Sequence, residues 1–263
     1  KEDRQKLASW MEFLELAQYF TYEMIKEQNE GKSESSPDPA MIDMFNAMVD
    51  EMFDYGRFIL KNKRENPSDD LLSAIANAKI DDKKLTDEFL DGSWLLIIFA
   101  GNDTTRNTMS GGIKLLHENQ SQKELLMQNL DLLPNFINET VRCVSPVIHM
   151  RRTSLEETEI NGQRIGPYEK ISLWYGAANR DPDIFENPDQ FNIQRENADK
   201  HLAFGIGRHT CLGKPVALMQ LQEFYSQFLV RFKDFEMNGD WKVAPNNFVH
   251  AIQEMPIKFT PIK

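Results

Sequence analysis

The sequence is poor in cysteine, because Cys143 and Cys211 are the only two in 263 residues. Two cysteines give no disulfide scaffold, and such sparing use is typical of a reducing compartment, so we expect a cytoplasmic protein. The five histidines are scattered, and no cysteine or histidine pair has the spacing of zinc ligands. Neither a disulfide-stapled module nor a structural zinc site is therefore indicated.

Long apolar runs and an excess of positive charge are also lacking. The most apolar run, residues 94–101, is far too short to cross a bilayer, so we expect no membrane span. The net charge of −11 and the pI near 5.0 argue against a general binder of nucleic acid or anionic membranes. No phosphate-binding loop or dinucleotide fingerprint is present, so the nucleotide-binding classes are not indicated either.

The sequence does contain helical periodicity over most of its length. Apolar residues recur at helical spacing, which predicts a mainly α protein with a small β portion. No internal repeat or clean domain boundary is visible, so residues 1–263 are interpreted as a single domain. Helices are expected over about residues 3–29, 40–63, 69–77, 86–117, 121–128, 130–144 and 212–232, short strands at 158–160, 163–165 and 170–173, loops at 31–39 and 179–197, and a strand-and-turn tail near 257–259.

Methionines crowd one face of the expected helix over residues 40–63. That face carries Met41, Met44, Met48 and Met52 together with Phe45. Methionine is an adaptable packing residue, so this face could simply belong to the core. The same softness would also suit the lining of an apolar ligand channel, and the sequence leaves both interpretations open.

The middle of the longest expected helix, residues 86–117, has an unusual composition. Residues 100–105 read Ala-Gly-Asn-Asp-Thr-Thr, where a buried helix should carry aliphatic side chains. Glycine inside a helix costs about 1 kcal/mol, and hydroxyls that bond back to the preceding turn bend helices. We therefore expect a break at Gly101–Thr104, and we interpret this departure from helical rules as a sign of function.

A glycine-rich loop, residues 204–213, surrounds Cys211. It reads Phe-Gly-Ile-Gly-Arg-His-Thr-Cys-Leu-Gly and precedes an expected helix. At the start of a helix, the helix dipole and free N–H groups favour a negatively charged sulfur. Such a sulfur can act as a nucleophile or bind a metal, and the loop alone does not decide between them.

Together with a Glu-x-x-Arg pair, these segments resemble the cytochrome P450 family of haem-thiolate monooxygenases. The family's haem loop Phe-x-x-Gly-x-(Arg/His)-x-Cys-x-Gly is matched by residues 204–213, and its Glu-x-x-Arg pair by Glu139 and Arg142. Its central-helix motif Ala-Gly-x-Asp-Thr-Thr is matched by residues 100–105. The resemblance implies the cytochrome P450 fold. Residues 1–3 fall where the family's sixth lettered helix begins, so we expect an N-terminally truncated cytochrome P450 domain.

The resemblance implies a haem b cofactor, iron protoporphyrin IX, with Cys211 as the iron ligand. Phe204 would pack beside the sulfur, and backbone N–H groups near Gly213 would hydrogen-bond to it. Arg152 and His209 would donate to the haem propionates. The cofactor-binding residues implied in this way are Phe204, Gly205, Arg152, His209, Gly213, Ala100 and Gly101.

The same resemblance assigns roles on the oxygen side of the haem. Asp103 and Thr104 would be the catalytic residues that steer protons to dioxygen, and Gly101 would leave room for it. Glu139 and Arg142 would form a buried structural ion pair with the coil around Arg180.

The implied substrate pocket is largely apolar, which favours a hydrophobic small molecule. Residues 100–112, 149–153 and 174–181 resemble the bacterial branch that hydroxylates terminal carbons of medium-chain alkanes and fatty acids. The branch that oxidises the steroid side-chain terminus shares part of this pattern and is the alternative. The pocket residues are Leu96, Phe99, Ala100, Val147, Ile148, Met150, Phe248 and Val249.

A bacterial enzyme of this family implies partner proteins that deliver electrons from NAD(P)H. We expect a ferredoxin and its ferredoxin reductase, and the positive charges of Lys200, Arg208 and Lys214 would suit an acidic ferredoxin. A further alternative is that the chain, lacking part of the family fold, is a non-functional fragment. A cysteine-nucleophile enzyme without haem is the remaining possibility.

Overall fold

The computed structural model describes residues 5–11, 13, 38–244, 246 and 248–262. Most of its residues are helical and a smaller share lies in strands, which confirms the predicted fold class. Residues 5–11 are helical, whereas the rest of the expected first helix beyond residue 13 and the expected loop over 31–37 lie outside the described residues. The chain divides into two compact units, Lys1–Asp103 and Thr104–Lys263.

The first unit is built from helices with local caps. Helix α1 (Pro39–Glu65) begins after Asp38, whose side chain accepts a hydrogen bond from the Ala40 N–H at 2.9 Å. Helix α2 (Leu71–Asn77) begins after Asp70, which accepts from the Ser73 N–H at 2.8 Å. These capping bonds satisfy backbone donors that would otherwise lack partners. A short hairpin of β1 (Lys79–Ile80) and β2 (Lys83–Lys84) then leads to helix α3 (Asp87–Glu118).

A close approach between α1 and α3 organises the core of this unit. A Cβ atom at Gly56 would lie 2.5 Å from the Trp94 ring, so only glycine fits there. The Trp94 Nε1–H donates to the Met52 carbonyl at 3.0 Å. Of the methionine face, Met52 belongs to this core, whereas Met41 and Met44 are exposed. The buried core consists of Trp10, Met11, Met52, Leu60, Ala76, Leu90 and Trp94.

The second unit contains the remainder of α3 and the later helices. Helix α3 runs without interruption through residues 100–105, so the expected break at Gly101–Thr104 is wrong. The later helices are α4 (Gln120–Gln128), α5 (Leu133–Val144), α6 (Tyr175–Ala178) and α7 (Lys214–Arg231), with 3-10 turns at Leu130–Leu132, Ala198–Lys200 and Gly207–His209. No helix in the described part of the chain has the length and apolar character that a membrane crossing needs.

The strands of the second unit form antiparallel pairs rather than a large sheet. The predicted strands at 158–160 and 163–165 pair as β4 (Thr158–Ile160) and β5 (Gln163–Ile165). The strand predicted at 170–173 is β6 (Lys170–Trp174), and it pairs with the unpredicted β3 (His149–Thr153). Further pairs are β7 (Phe232–Met237) with β10 (Ile257–Pro261), and β8 (Lys242–Ala244) with β9 (Ala251–Glu254).

Helix α7, which follows the cysteine loop, is anchored on α3 by a buried tyrosine. The Tyr225 hydroxyl donates to the Met109 carbonyl at 2.8 Å, and its ring packs edge-on against Phe136 of α5 with centroids 4.7 Å apart. A Cβ atom at Gly112 would lie 2.0 Å from the Tyr225 hydroxyl, so the two helices meet where α3 has no side chain. The glycine in this helix therefore permits close packing.

Candidate active site

The cysteine loop folds back so that Cys211 is held by the start of its own loop. The Cys211 N–H donates to the Phe204 carbonyl at 2.8 Å, and the Gly205 N–H donates to the Leu202 carbonyl at 2.8 Å. Helix α7 begins at Lys214, directly after Gly213. Cys211 is exposed and carries a free thiol. The loop therefore presents one sulfur at the N-terminus of an 18-residue helix.

Glycines make the fold of this loop possible. Gly205 and Gly207 have φ angles of +69° and +74°, in the left-handed region that other residues rarely adopt. A Cβ atom at Gly205 would also lie 3.3 Å from the His209 carbonyl oxygen. Gly213 lies beside the sulfur, since a Cβ atom there would be 3.8 Å from Cys211 Sγ.

A cluster of buried charged side chains contacts the coil that precedes the cysteine loop. Arg142 and Glu139, one turn apart on α5, are completely buried and form a bidentate ion pair with N···O distances of 2.7 and 2.8 Å. Burial is the largest single influence and acts to lower the pKa of Arg142, but the hydrogen bonds to Glu139 and the attraction of nearby acidic groups together raise it above its ordinary value. The guanidinium also donates to the carbonyls of Asn179 at 2.7 Å and Pro188 at 2.8 Å.

The third charged member of the cluster is Arg195, which the sequence analysis did not identify. Its Nε atom lies 3.1 and 3.2 Å from the two Glu139 carboxylate oxygens, and its Nη atoms donate to carbonyls at Glu186, Asn187 and Gln190. The Phe185 ring lies against both guanidinium groups. The sequence shows only an arginine in a proline-punctuated coil, because the partner of Arg195 is 56 residues away in sequence.

Arg142 donates to backbone carbonyls of the coil around Arg180, as expected, whereas the Arg180 side chain itself has other partners. Its Nη2 atom donates to the Cys143 carbonyl at 2.8 Å, and its Nε atom lies 3.4 Å from Asp189 Oδ1. The backbone of the neighbouring Asn179, rather than the Arg180 side chain, contacts Arg142. Arg180 therefore ties the end of α5 to the coil, and Arg195 completes the charge cluster.

Asn179 connects the charge cluster to the residues that lead into the cysteine loop. It is completely buried; its side chain accepts from the Leu202 N–H at 2.6 Å and donates to the Ser145 hydroxyl at 2.8 Å. Its carbonyl accepts from Arg142. The position of Leu202, whose carbonyl binds the Gly205 N–H, is thus linked through hydrogen bonds to the Glu139–Arg142 pair.

His201 is a buried imidazole next to this network. Its Nδ1 accepts from the Ala203 N–H at 3.3 Å, its ring lies 5.6 Å from the Phe204 ring, and its buried Nε2 has no hydrogen-bond partner within the described residues. Burial, reinforced by the nearby positive charge of Lys214, lowers the pKa of His201 to about 4. The imidazole is therefore neutral at physiological pH.

This burial predicts an acid-sensitive fold. The pKa of His201 is about 4 when folded and 6.5 for a free histidine, so the unfolded chain takes up the proton first as pH falls. Stability is then lost progressively between pH 6.5 and 4, by about 3 kcal/mol in total. Denaturant unfolding across this range should show that loss in wild type, whereas His201→Asn, which keeps an acceptor near Nδ1, should lack most of it. The exposed-residue control His209→Asn should follow wild type; identical pH slopes for all three proteins would contradict the prediction.

The predicted oxygen-side residues lie together on α3. Asp103 is buried, with 6% of its surface exposed, Thr104 is half-buried, and Ala100 and Gly101 are exposed. The boundary between the two units falls between Asp103 and Thr104. The Thr104 carbonyl accepts a hydrogen bond from the Thr108 hydroxyl at 2.8 Å. The Thr108 hydroxyl, one turn beyond the predicted motif, therefore bonds back to the preceding turn of α3.

The structure brings two predicted pocket segments of the second unit together. Val147 and Val249 form an antiparallel bridge, and the Ile148 N–H donates to the Phe248 carbonyl at 2.8 Å. Met150 follows on β3 and is half-buried. The remaining predicted pocket residues, Leu96, Phe99 and Ala100, belong to the first unit, where Leu96 and Ala100 are exposed and Phe99 is half-buried.

The predicted propionate donors occupy separate elements. Arg152 lies on β3, is half-buried, and donates to the carbonyl of Arg151 at 2.8 Å. His209 is exposed in the 3-10 turn Gly207–His209.

The two cysteines differ in exposure, and only Cys211 is accessible enough to bind a cofactor. Burial raises the pKa of the Cys143 thiol to about 11, whereas Cys211 is exposed on the glycine-bounded loop. Within the described part of the chain, no group of three or more histidine, cysteine or acidic residues could hold a metal ion. A porphyrin would itself supply most of the donors to its iron, so one accessible sulfur with adjacent positive groups fits a haem better than a bare ion.

Comparison with known proteins agrees with this chemistry. The family model described as "Cytochrome P450" matches residues 114–260. The chain is 35% identical to cytochrome P450-terp of a Pseudomonas species over 82% of its own length and 50% of the relative. It is 37% identical to the steroid C26-monooxygenase of Mycobacterium tuberculosis over 79% of its length and 56% of the relative.

A structural comparison gives the same family. The structure of P450BioI in complex with hexadec-9Z-enoic acid ligated acyl carrier protein superposes with a TM-score of 0.81 at 29% identity, covering 98% of this chain and 63% of that one. The chain spans about half the length of the curated relatives that it matches. Because the family model covers more than half of the chain and the fold agrees, the chain belongs to the cytochrome P450 family.

Proposed function

We propose that the protein is a haem-thiolate monooxygenase that oxidises the terminal carbon of a medium-chain alkane or fatty acid to the primary alcohol. One oxygen atom of O2 enters the C–H bond, and the other leaves as water with protons and electrons supplied from outside. The observation that carries the proposal is the exposed Cys211 sulfur, held at the start of α7 by its own glycine-rich loop. Residues 1–263 act in this proposal as one domain.

The residues around Cys211 would bind the haem. Bound haem would supply the activation of dioxygen. On the sulfur side, Cys211 would bind the iron, with Phe204, Gly205 and Gly213 shaping the loop around the sulfur, and His209 and Arg152 would donate to propionates.

The middle of α3 would supply protons. Asp103 is buried and ionisable, and the adjacent Thr104 carries a hydroxyl at Oγ1 that can hold and pass a proton. The neighbouring Ala100 carries only a methyl group and Gly101 no side chain, and a Cβ atom at Gly101 would meet nothing within 4 Å, which leaves space beside the helix.

Two features support the preference for a terminal carbon: the resemblance of several segments to the terminal-hydroxylating branch, and the apolar residues proposed to line the pocket. Val147, Ile148, Met150, Phe248 and Val249 supply aliphatic and aromatic surface near β3 and the tail. The acyl chain in the P450BioI complex supports a substrate of the fatty-acid class. The steroid C26-monooxygenase relative supports the alternative, a hydroxylase of the steroid side-chain terminus.

Electrons would reach the haem from NAD(P)H in the cytoplasm through a ferredoxin reductase and a ferredoxin. Lys200 and Arg208 are exposed near the cysteine loop, and Lys214 lies 5.5 Å from the Phe204 ring. These positive side chains on an acidic protein would give an acidic ferredoxin a defined place to dock.

The substrate class is tested by product analysis. The haem-loaded protein, supplied with a ferredoxin and its reductase, should convert octane to its primary alcohol and dodecanoic acid to its ω-hydroxy acid, with subterminal alcohols as minor products. Cholestenone is included to detect the steroid alternative. Subterminal products alone, or oxidation of cholestenone alone, would contradict the proposal.

A further inference from the structure

Asn107 is a buried polar residue whose role the proposed function does not explain. It lies on α3, three residues beyond Thr104, and none of its surface is exposed. An amide inside a helix packed against protein is costly unless it is hydrogen-bonded. Its Oδ1 accepts a hydrogen bond from the backbone N–H of Ile252 at 2.9 Å. The bond joins residues 145 positions apart in the sequence.

Ile252 belongs to β9, at the position where the pairing of β9 with β8 becomes irregular. Strand β9 pairs with β8, and the register shifts between Lys242 and Val243, where Val243 is the partner of Ile252. An irregular ladder leaves a strand less firmly fixed by its neighbour. The Asn107 side chain thus supplies a fixed attachment to the helix next to this irregularity.

The chain immediately before β9 is the tail segment, residues 248–250, which forms one wall of the proposed pocket. It is attached to residues 146–148 by the Val147–Val249 bridge and by the bonds from Ile148 N–H to Phe248 O and from His250 N–H to Pro146 O, at 2.8 and 2.9 Å. Asn246 Oδ1 accepts from the Phe248 N–H at 2.7 Å. The tail segment is therefore hydrogen-bonded to residues 146–148, just before β3, and is connected through Ile252 to α3.

We propose that Asn107 is a positioning residue that fixes the pocket wall formed by Phe248 and Val249 relative to Thr104, and thereby decides which carbon of the substrate is oxidised. Three helical residues rise roughly 4.5 Å, so the attachment point lies one turn from Thr104 on the same rigid helix. A displacement of a substrate-positioning group by about 1 Å can change a rate on the order of a hundredfold. This inference rests on the proposed function, because it takes the tail segment as pocket wall.

Three variants of Asn107 separate the hydrogen bond from the bulk of the side chain. Asn107→Leu keeps a similar volume without the acceptor, Asn107→Ala removes both, and Asn107→Asp keeps an acceptor oxygen. The control is Asn119→Leu, because Asn119 directly follows this helix and its amide donates to the Leu115 carbonyl in the last turn of the helix, not to the tail segment.

The first measurement is amide hydrogen exchange of the haem-loaded protein. The Ile252 N–H should exchange roughly five- to tenfold faster in Asn107→Leu and Asn107→Ala than in wild type, since one hydrogen bond is lost. Asn107→Asp and Asn119→Leu should retain the wild-type rate. Unchanged exchange in the folded Leu and Ala variants would overturn the attachment.

The second measurement is the ratio of terminal to subterminal products from octane, dodecanoic acid or cholestenone, whichever the wild type oxidises. Loss of the attachment in Asn107→Leu and Asn107→Ala should lower this ratio at least threefold, and Asn107→Asp should keep the wild-type ratio. A purely structural role would lower the haem content of the variants and leave the ratio of products unchanged. An unchanged ratio in active Asn107→Leu and Asn107→Ala would refute this inference alone. Absence of products from all three substrates in the wild type would instead refute the proposed function.

Discussion

Cys211→Ser is expected to abolish turnover, lowering product formation at least a thousandfold. In the proposed function a thiolate at this position binds the iron and tunes it for dioxygen cleavage, and a neutral hydroxyl cannot replace it. The protein should remain folded, since Cys211 is exposed and its loop is held by backbone bonds, such as the one from the Cys211 N–H to the Phe204 carbonyl. Haem content and alcohol formation measured on the same preparation check this expectation.

The chain provides its own control for this substitution. Cys143→Ser makes the same chemical change at the half-buried thiol of α5, whose sulfur lies 3.3 Å from Nη2 of Arg142. It should keep haem binding and turnover within about twofold of wild type, with a modest loss of stability. Equal turnover of Cys211→Ser and wild type, or loss of haem in Cys143→Ser alone, would contradict the assignment.

Glu139→Gln is expected to destabilise the fold by about 3–5 kcal/mol. The carboxylate is the counter-charge of two buried guanidinium groups and also accepts from the Asn192 N–H at 3.0 Å. Arg142 and Arg195 would keep their carbonyl partners but lose the negative charge between them. A typical domain has about 5–15 kcal/mol of stability, so this loss is a large fraction of the total.

The control for Glu139→Gln is a carboxylate on the surface of the same unit. Glu236 lies 3.2 Å from Lys258 in an exposed pair, so Glu236→Gln should change the free energy of unfolding by no more than about 1 kcal/mol. Denaturant titrations of the two variants and wild type give the comparison. A Glu139→Gln protein as stable as Glu236→Gln would show that the buried cluster does not hold the fold.

Local signals predicted much of this fold from the sequence. The expected helix over 86–117 is observed as Asp87–Glu118, and the strands at 158–160 and 163–165 were predicted with their observed bounds. These elements are set by short-range features: an apolar period, an acidic first turn, and the Asn161-Gly162 turn with φ angles of +50° and +78°. Such features are encoded within a few residues, and a sequence shows them directly.

Long-range pairing was not predictable in the same way. Arg195 and Glu139 meet across 56 residues, and Asn107 and Ile252 across 145. Nothing in the local sequence distinguishes Arg195 from Arg180, since both lie in the same polar coil and differ only in where the coil places them. Strand β3 was missed because residues 149–153 alternate poorly, and its stability comes from pairing with β6.

The expected break in α3 was wrong for a related reason. Glycine and hydroxyl residues weaken a helix in isolation, yet α3 continues through them. In the second unit, the contacts of Gly112 and Asn107 with α7 and β9 tie its later turns to their surroundings. Tertiary contacts of this kind outweigh a propensity cost of about 1 kcal/mol.

The central claim is that Cys211 binds haem iron as a thiolate. A carbon monoxide difference spectrum of the reduced, haem-loaded protein that carries this chain tests it most directly, because a thiolate ligand shifts the Soret band of the carbon monoxide complex strongly to the red. The account predicts that red-shifted band in wild type and in Cys143→Ser, and its complete loss in Cys211→Ser. A Soret band at the unshifted position in wild type, or the red-shifted band persisting in Cys211→Ser, would contradict it.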